Sequence, residues 1–475
     1  MNSLEEIQNL YLLERPLDYI NSKFIKLTSY EIKRNNIILK MVSSTIINSM
    51  REMDDLFNCM YKEIFYGGSY YDKLKVGKPN EYDLDLVQQL PDICQPEVQC
   101  SEHPGFVQVQ IHGYHNILVL PSSPENSPLL KITNLMENCN YLSTNKYLKW
   151  IESLVNRALN KFNKDINNER YIDVPIDTKE ALKMMTRLAK SGPAFTLKLT
   201  GKDFDGSDIQ LDIDLVPCFR FGENDWPNIS GGYRPNPKEK LIYKEHFFVV
   251  PKKPREAKLA NNPNMERFWR LSFQEQEREL MGKNKRALKP ALKLIKKMRD
   301  RYEHTIASYF IKTVFLWTVE IKPDEFWNQP LCNVFFEMLK IYSKYLQTYN
   351  IPYYWNPGYN LIGYLKQSTK VHICKTIQNI IRDISNSLMD QTDPYMVGRF
   401  LLSKEEYEEL KVTLPLTKKQ EKLIAKSRNI NMSSTSLHQL SNGDNSCLMN
   451  RSRCDSTMVQ VVKTFTERNY SKNIN

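Results

Sequence analysis

A chain of 475 residues, 41% apolar and 11% aromatic, is long enough for two or three domains and too apolar to be disordered throughout. Nine cysteines without a CxxC pair speak against a disulfide scaffold and offer no zinc ligand set, and no apolar run reaches the roughly eighteen residues of a membrane span. The formal charge of +11 points to a polyanionic partner.

The opening MNSLEEIQNLYLLERP lacks the basic start and apolar stretch of a secretory leader, so the expected location is the cytoplasm, with the nucleus as the other reduced compartment. Residues 1–64 are expected to be helical, because IILKMVSSTIINSMREMDDLFNCMYKEIF spaces its apolar residues at three and four over many turns. That pattern predicts one long spine helix leading into the stretch FYGGSYYDKLKVGKPNEYDLDLV, residues 65–87. The Gly68–Ser69 turn offers backbone N–H groups and a hydroxyl to a phosphate. Glu81 and Asp83, one residue apart, share a face of the strand they are expected to form. Carboxylates held that close repel one another and call for a cation between them. Hard oxygen ligands suit Mg²⁺, which takes its remaining ligands from water and substrate phosphates. The combination reads as a metal-dependent nucleotidyltransferase.

Further along, FVQVQIHGYHNILVLP alternates apolar and polar positions and predicts a hairpin turning near His112–Gly113. Residues 145–189 are expected to be largely helical, and residues 193–221 to form a second hairpin turning at Asp205–Gly206. Its segment LDIDLVP places Asp212 and Asp214 on one face. Two-metal phosphoryl transfer needs a third acid on a neighbouring strand. Asp214 is the choice and Asp212 the reserve, since an acid inside an apolar strand is costly unless it is paired or metal-bound.

From residue 264 the period becomes helical, with helices expected near 266–282, 286–302, 304–320, 331–348, 369–388 and 403–411. Between Lys283 and Arg301 nine residues are basic and only Asp300 is acidic, which favours a polyanion. The Ser- and Asn-rich tail, 428–475, is expected to be disordered. The fold class is therefore α+β: an N-terminal helical region (1–64), a mixed α/β core (65–263), a helical lobe (264–427) and the tail, with the active site in the cleft between core and helical lobe.

These residues resemble cyclic GMP-AMP synthase and the animal cyclic GMP-AMP synthase-like receptors, within the Mab-type nucleotidyltransferases. The matching pieces are GGSYYDKLKVGKPNEYDLDL, PAFTL, IDLVP, FFVVPK, WRLSFQEQERELM, LKLIKKMRD and ASYFIKTVFLW, in that order, within about residues 40 to 420. The resemblance implies a polymerase-beta-like core. It implies that Gly68 and Ser69 hold a triphosphate and that Glu81, Asp83 and Asp214 are catalytic and bind two Mg²⁺ or Mn²⁺. Lys252, Arg270 and Ser272 match contacts to the acceptor nucleotide. Lys296 matches a lysine on the donor phosphates, and Ser308 and Tyr309 match donor contacts, the tyrosine ring stacking on a base. ATP and GTP would be joined into a cyclic dinucleotide such as cyclic GMP-AMP, as an innate-immune messenger.

Two departures qualify the match. The interval GKNKRALKPA has no His or Cys where the vertebrate enzyme carries a zinc thumb, so no structural zinc is expected. The long basic N-terminal extension of that enzyme is missing from this sequence. The missing thumb turns the expected activator from double-stranded DNA to double-stranded RNA, with dimerisation on the ligand and with Lys283, Lys285, Arg286 and Lys289 on the binding surface. The alternatives are a catalytically silent relative that binds nucleotide or nucleic acid, and an enzyme that extends RNA ends.

Overall fold

The computed structural model describes residues 10–415 and 421, apart from 26–28, 79, 122, 124–125, 177–179, 228–230, 236–244, 256–261, 283, 391–392 and 394. The tail expected to be disordered lies outside the described residues, as does Lys283.

Helix α1, Ser29–Met53, buries Ile38, Leu39, Val42, Ile46, Ile47 and Met50, the stripe its spacing requires. It does not continue to residue 64. Asp54 adopts an extended conformation and its carboxylate accepts from the Phe57 N–H, which caps a separate helix α2, Asp55–Met60. The chain then enters strand β1, Tyr61–Gly67, where aromatic and β-branched residues favour the pleat. Helix α3, Gly68–Tyr71, is a single turn, and β2, Glu81–Gln88, runs back antiparallel to β1.

Strand β2 also pairs in parallel with a later, fifteen-residue strand that forms the spine of the large sheet. Between them lie β3 (Pro96–Cys100), β4 (Phe106–Ile111), helix α4 (Thr144–Leu159), β5 (Asn163–Lys164), β6 (Arg170–Pro175), β7 (Ala181–Ser191) and β8 (Ala194–Lys202). The long strand itself is β9, Asp208–Gly222. The β8–β9 hairpin turns where expected, with Gly206 at φ +82°. After it come β10 (His246–Val250) and β11 (Trp269–Ser272), giving the order β3-β4-β11-β10-β9-β8-β7-β6-β5 with β1 and β2 branching from β9.

Three sequence-based expectations fail here. The hairpin at His112–Gly113 does not exist: β4 pairs with β3 and β11, and Tyr114–Leu118 is a helical turn. The alternation stops at Ile111, because Leu118 and Val119 are both exposed. The segment 145–189 is helical only through α4. Strand β7 is rich in helix formers, yet Leu182, Met184 and Thr186 point inward at period two, and pairing with β6 and β8 overrides propensity. The helix expected at 266–282 is divided: Trp269, Leu271 and Phe273 are buried at alternate positions, and helix α5, Gln274–Leu280, begins only after β11.

The helical lobe follows its predicted periodicity. Helices α6 (Leu288–Arg301), α7 (Ser308–Ile321), α8 (Leu331–Gln347) and α9 (Gln367–Asp390) pack around Leu292, Ile295, Val314, Phe315, Phe335 and Leu339. A small hairpin, β12 (Pro352–Tyr353) with β13 (Asn356–Asn360), brings Tyr353 and Tyr359 towards the sheet.

Candidate active site

Parallel pairing of β2 with β9 sets Glu81 opposite Asp212 and Asp83 opposite Asp214. Period-two alternation then puts Glu81, Asp83 and Asp85 on one face of β2. Asp83 is the centre of this group. Burial first, then repulsion from Glu81 and Asp214, pushes its carboxyl up to about 6. Burial also raises Asp214, against the pull of the Thr196 hydroxyl, which donates to its Oδ1 at 2.5 Å. Asp85 is 2% exposed, and burial, with the Asp83 charge beside it, pushes it up to about 8. Glu81 is half exposed and its Oε2 pairs with Lys75 Nζ at 2.7 Å.

Among the described residues, no three His, Cys, Asp or Glu side chains are grouped so as to hold a metal ion. The grip of Glu81, Asp83 and Asp214 expected from sequence is thus not formed. Two of the three acids are direct cross-strand neighbours, and the third is turned to a lysine.

The Gly-Ser turn lies against the acids. Gly68 has φ +71°, and a Cβ there would fall 1.7 Å from Asp83 Oδ2, so only glycine fits. Its N–H, expected to face a phosphate, donates instead to Gln274 Oε1 at 3.1 Å. A cavity of about 420 Å³ opens over the turn. Every residue expected to touch nucleotide lines it: Gly68, Ser69, Lys252, Arg270, Ser272, Lys296, Ser308 and Tyr309, together with Glu81 and Asp83. Asp212 and Asp214 do not.

The cavity walls are cationic and aromatic. Burial, then Arg270 and Arg255, pushes the Lys252 ammonium down to about 8. Burial, then Arg299, does the same to Lys296, whose Nζ donates to the Leu74 carbonyl at 2.6 Å. The Arg270 guanidinium lies 5.1 Å from the Tyr353 ring centroid and 5.8 Å from that of Tyr309. The Tyr309 hydroxyl donates to Glu277 Oε1 at 2.7 Å.

Sequence reasoning missed a buried ion cluster behind this wall. Lys312 Nζ lies 2.8 Å from Asp72 Oδ2 and 2.9 Å from Glu277 Oε2, and Arg278 Nε lies 2.9 Å from Asp72 Oδ1. It ties the Gly-Ser turn to α5 and α7. The signal was present: Lys312 interrupts the apolar run SYFIKTVFLW, and a lysine in such a place needs buried partners. Of the basic surface, Lys285 Nζ is held by Asp324 at 3.2 Å, and Lys289 is half-buried. Arg286 is exposed, although one N–H donates to the Asn328 carbonyl at 3.1 Å.

Residues 70–283 match the Mab-21 protein nucleotidyltransferase domain, and residues 287–379 match the Mab-21 protein HhH/H2TH-like domain. A cyclic GMP-AMP synthase-like receptor of Tribolium castaneum is 40% identical over 395 residues, covering 83% of this chain and 93% of the relative. The chain belongs to the cyclic GMP-AMP synthase-like receptor family of Mab-21 nucleotidyltransferases. A second such receptor, from Aethina tumida, is 39% identical over 397 residues, covering 83% of this chain and 92% of that one. Cyclic GMP-AMP synthase-like receptor 1 of Drosophila melanogaster is 26% identical over 315 residues, covering 64% and 75% of the two chains. The family match sets β2 and β9 within a nucleotidyltransferase domain, which makes the chain a transferase. No helix among the described residues is long and apolar enough to cross a membrane.

Proposed function

We propose that this family member joins ATP and GTP into a cyclic dinucleotide, with Mg²⁺ or Mn²⁺, in response to double-stranded RNA, as a step in innate immunity. The observation that carries this reading is the cross-strand pair Asp83 and Asp214, set beside Gly68 beneath a cavity lined with cations and tyrosines. The donor set fits divalent ions: oxygen ligands only, and an Asp83 carboxyl raised by burial first and then by repulsion from Glu81 and Asp214, a repulsion that a cation would relieve. Asp83 and Asp214 would hold the metal, joined by Glu81 once it releases Lys75. A bound pair of ions would supply charge stabilisation at the reacting phosphorus and a lowered hydroxyl pKa.

The chain's own residues do the rest. Lys252 and Arg270 hold the acceptor, Lys296 neutralises donor phosphate, and the Tyr309 ring presents a face for a base, its hydroxyl fixed by Glu277. Arg286 and the helix it precedes offer phosphate contacts to an A-form duplex. The second reading is a silent, nucleotide-binding relative, and the Lys75–Glu81 pair is what favours it.

The test is incubation of the purified chain with ATP, GTP and Mg²⁺ or Mn²⁺, with and without duplex RNA or DNA, followed by chromatography and mass analysis. A cyclic dinucleotide made only with duplex RNA is expected, falling by at least about a hundredfold in Asp83→Ala. Nucleotide binding without product under every condition would establish the silent reading.

A further inference from the structure

Beneath the Gly-Ser turn lies a polar contact that the proposed chemistry does not use. Asp85 is the deepest acid on the β2 face, set opposite Val216 of β9 rather than opposite another acid. Its Oδ2 accepts from Gln274 Nε2 at 2.6 Å, and the other end of that amide, Oε1, accepts the Gly68 N–H at 3.1 Å. The two bonds fix which way the amide faces, because its NH₂ is committed to a carboxyl and its oxygen to a backbone donor. Gly67 completes the fit: a Cβ at that position would lie 2.3 Å from Gln274 Oε1. Two consecutive glycines are thus required for opposite reasons, Gly67 to admit Gln274 and Gly68 to admit Asp83.

We propose that Asp85 and Gln274 form a strut that sets the Gly67–Gly68 peptide plane, and through it the position of Ser69 and Asp83 relative to the donor triphosphate. Both residues line the cavity, and both act as positioning residues, through the turn. Asp85 Oδ2 accepts from Gln274, a role that the amide oxygen of asparagine can fill and leucine cannot. Gln274 opens helix α5, which also carries Glu277 and Arg278, so the strut joins the turn to the element that anchors the ion cluster. The kinetic arm of the proposal rests on the transferase reading; the exchange arm does not.

The experiment is hydrogen exchange on the full chain, read on the peptide covering residues 65–74, for wild type, Gln274→Leu, Asp85→Leu and Asp85→Asn. Exchange at the turn should rise about tenfold in the two leucine variants and stay at the wild-type rate in Asp85→Asn, while the β8–β9 hairpin is unchanged in all. The KM for the donor triphosphate should rise several-fold in the leucine variants and return in Asp85→Asn. Wild-type exchange in Gln274→Leu overturns the strut, as does leucine-like exchange in Asp85→Asn. Faster synthesis by Gln274→Leu also overturns it, since the amide would then be a lock that phosphate must displace. Should Asp85→Leu not fold, Gln274→Leu decides. If wild type makes no dinucleotide, the proposed function fails, and the exchange rates alone decide the strut.

Discussion

At the residue scale, carboxyls stacked on one strand face make stability and activity respond to pH in opposite directions. Asp83 and Asp85 have folded-state pKa values raised from 3.8 to about 6 and about 8. Between the unfolded and folded values the folded chain binds more protons, so stability falls as pH rises through that window and recovers on acidification towards about 4 to 5. The metal-free protein should therefore melt at a higher temperature at pH 6 than at pH 8. Asp85→Asn should flatten the curve between those points, leaving the part below about 6 that belongs to Asp83. Synthesis needs the ionised form, which a bound cation favours, so its acid-side decline should fall at a pH below the value of about 6 that belongs to the metal-free carboxyl. Melting curves across pH with and without Mn²⁺ check both signs, and a flat profile in wild type would refute the buried-acid account. Glu81, Asp83 and Asp214 are visible in the sequence because an acid at every second strand position is conspicuous. Asp85 belongs to the same alternation, but its burial between Phe65 and Val216 becomes visible only when β1 and β9 pair on either side of it.

At the element scale, the turn, α5 and α7 are held together by charges rather than by apolar contact alone. Lys312, Asp72 and Glu277 are all under 10% exposed, so removing the lysine breaks two buried ion pairs at once, leaving Asp72 to Arg278 and Glu277 to the Tyr309 hydroxyl. Lys312→Met should cost about 3–5 kcal/mol in urea unfolding, the range for a broken buried pair. Neutralising its partners as well, in Asp72→Asn with Glu277→Gln, should restore much of that loss. An unchanged unfolding midpoint in Lys312→Met would show that water reaches the cluster. The elements themselves were unevenly legible. Helices α6 to α9 carry their period in their own residues, whereas β7 depends on pairing with the flanking strands β6 and β8, and β11 on β10 and the distant β4. A strand such as ALKMMTRLAKS has a helical composition and acquires its pleat only from β6 and β8.

At the scale of the whole molecule, the site and the basic stretch that runs into and along α6 lie on connected elements, and the proposed activation requires a polyanion to act through them. The stretch looked uniformly basic in sequence, but the fold divides it. Lys285 spends its charge on Asp324, Lys289 is half-buried, and Lys296 and Lys297 turn inward to Leu74 and Glu406. Arg286 is exposed to solvent. If duplex RNA docks here, Arg286→Glu should weaken RNA binding by about tenfold at moderate salt and lower the slope of log affinity against log salt by about one or more. Lys285→Glu should do less to binding and more to stability, because it places two acids side by side at the Asp324 contact. Fluorescence anisotropy with a labelled duplex over a salt series separates the two outcomes. Equal losses in both variants would mean that the Asp324 pair opens on binding, while no loss in either would move the duplex to another face. The wild-type salt slope settles the remaining point: a value near zero would rule out phosphate contacts altogether, leaving the net positive charge without a nucleic-acid role.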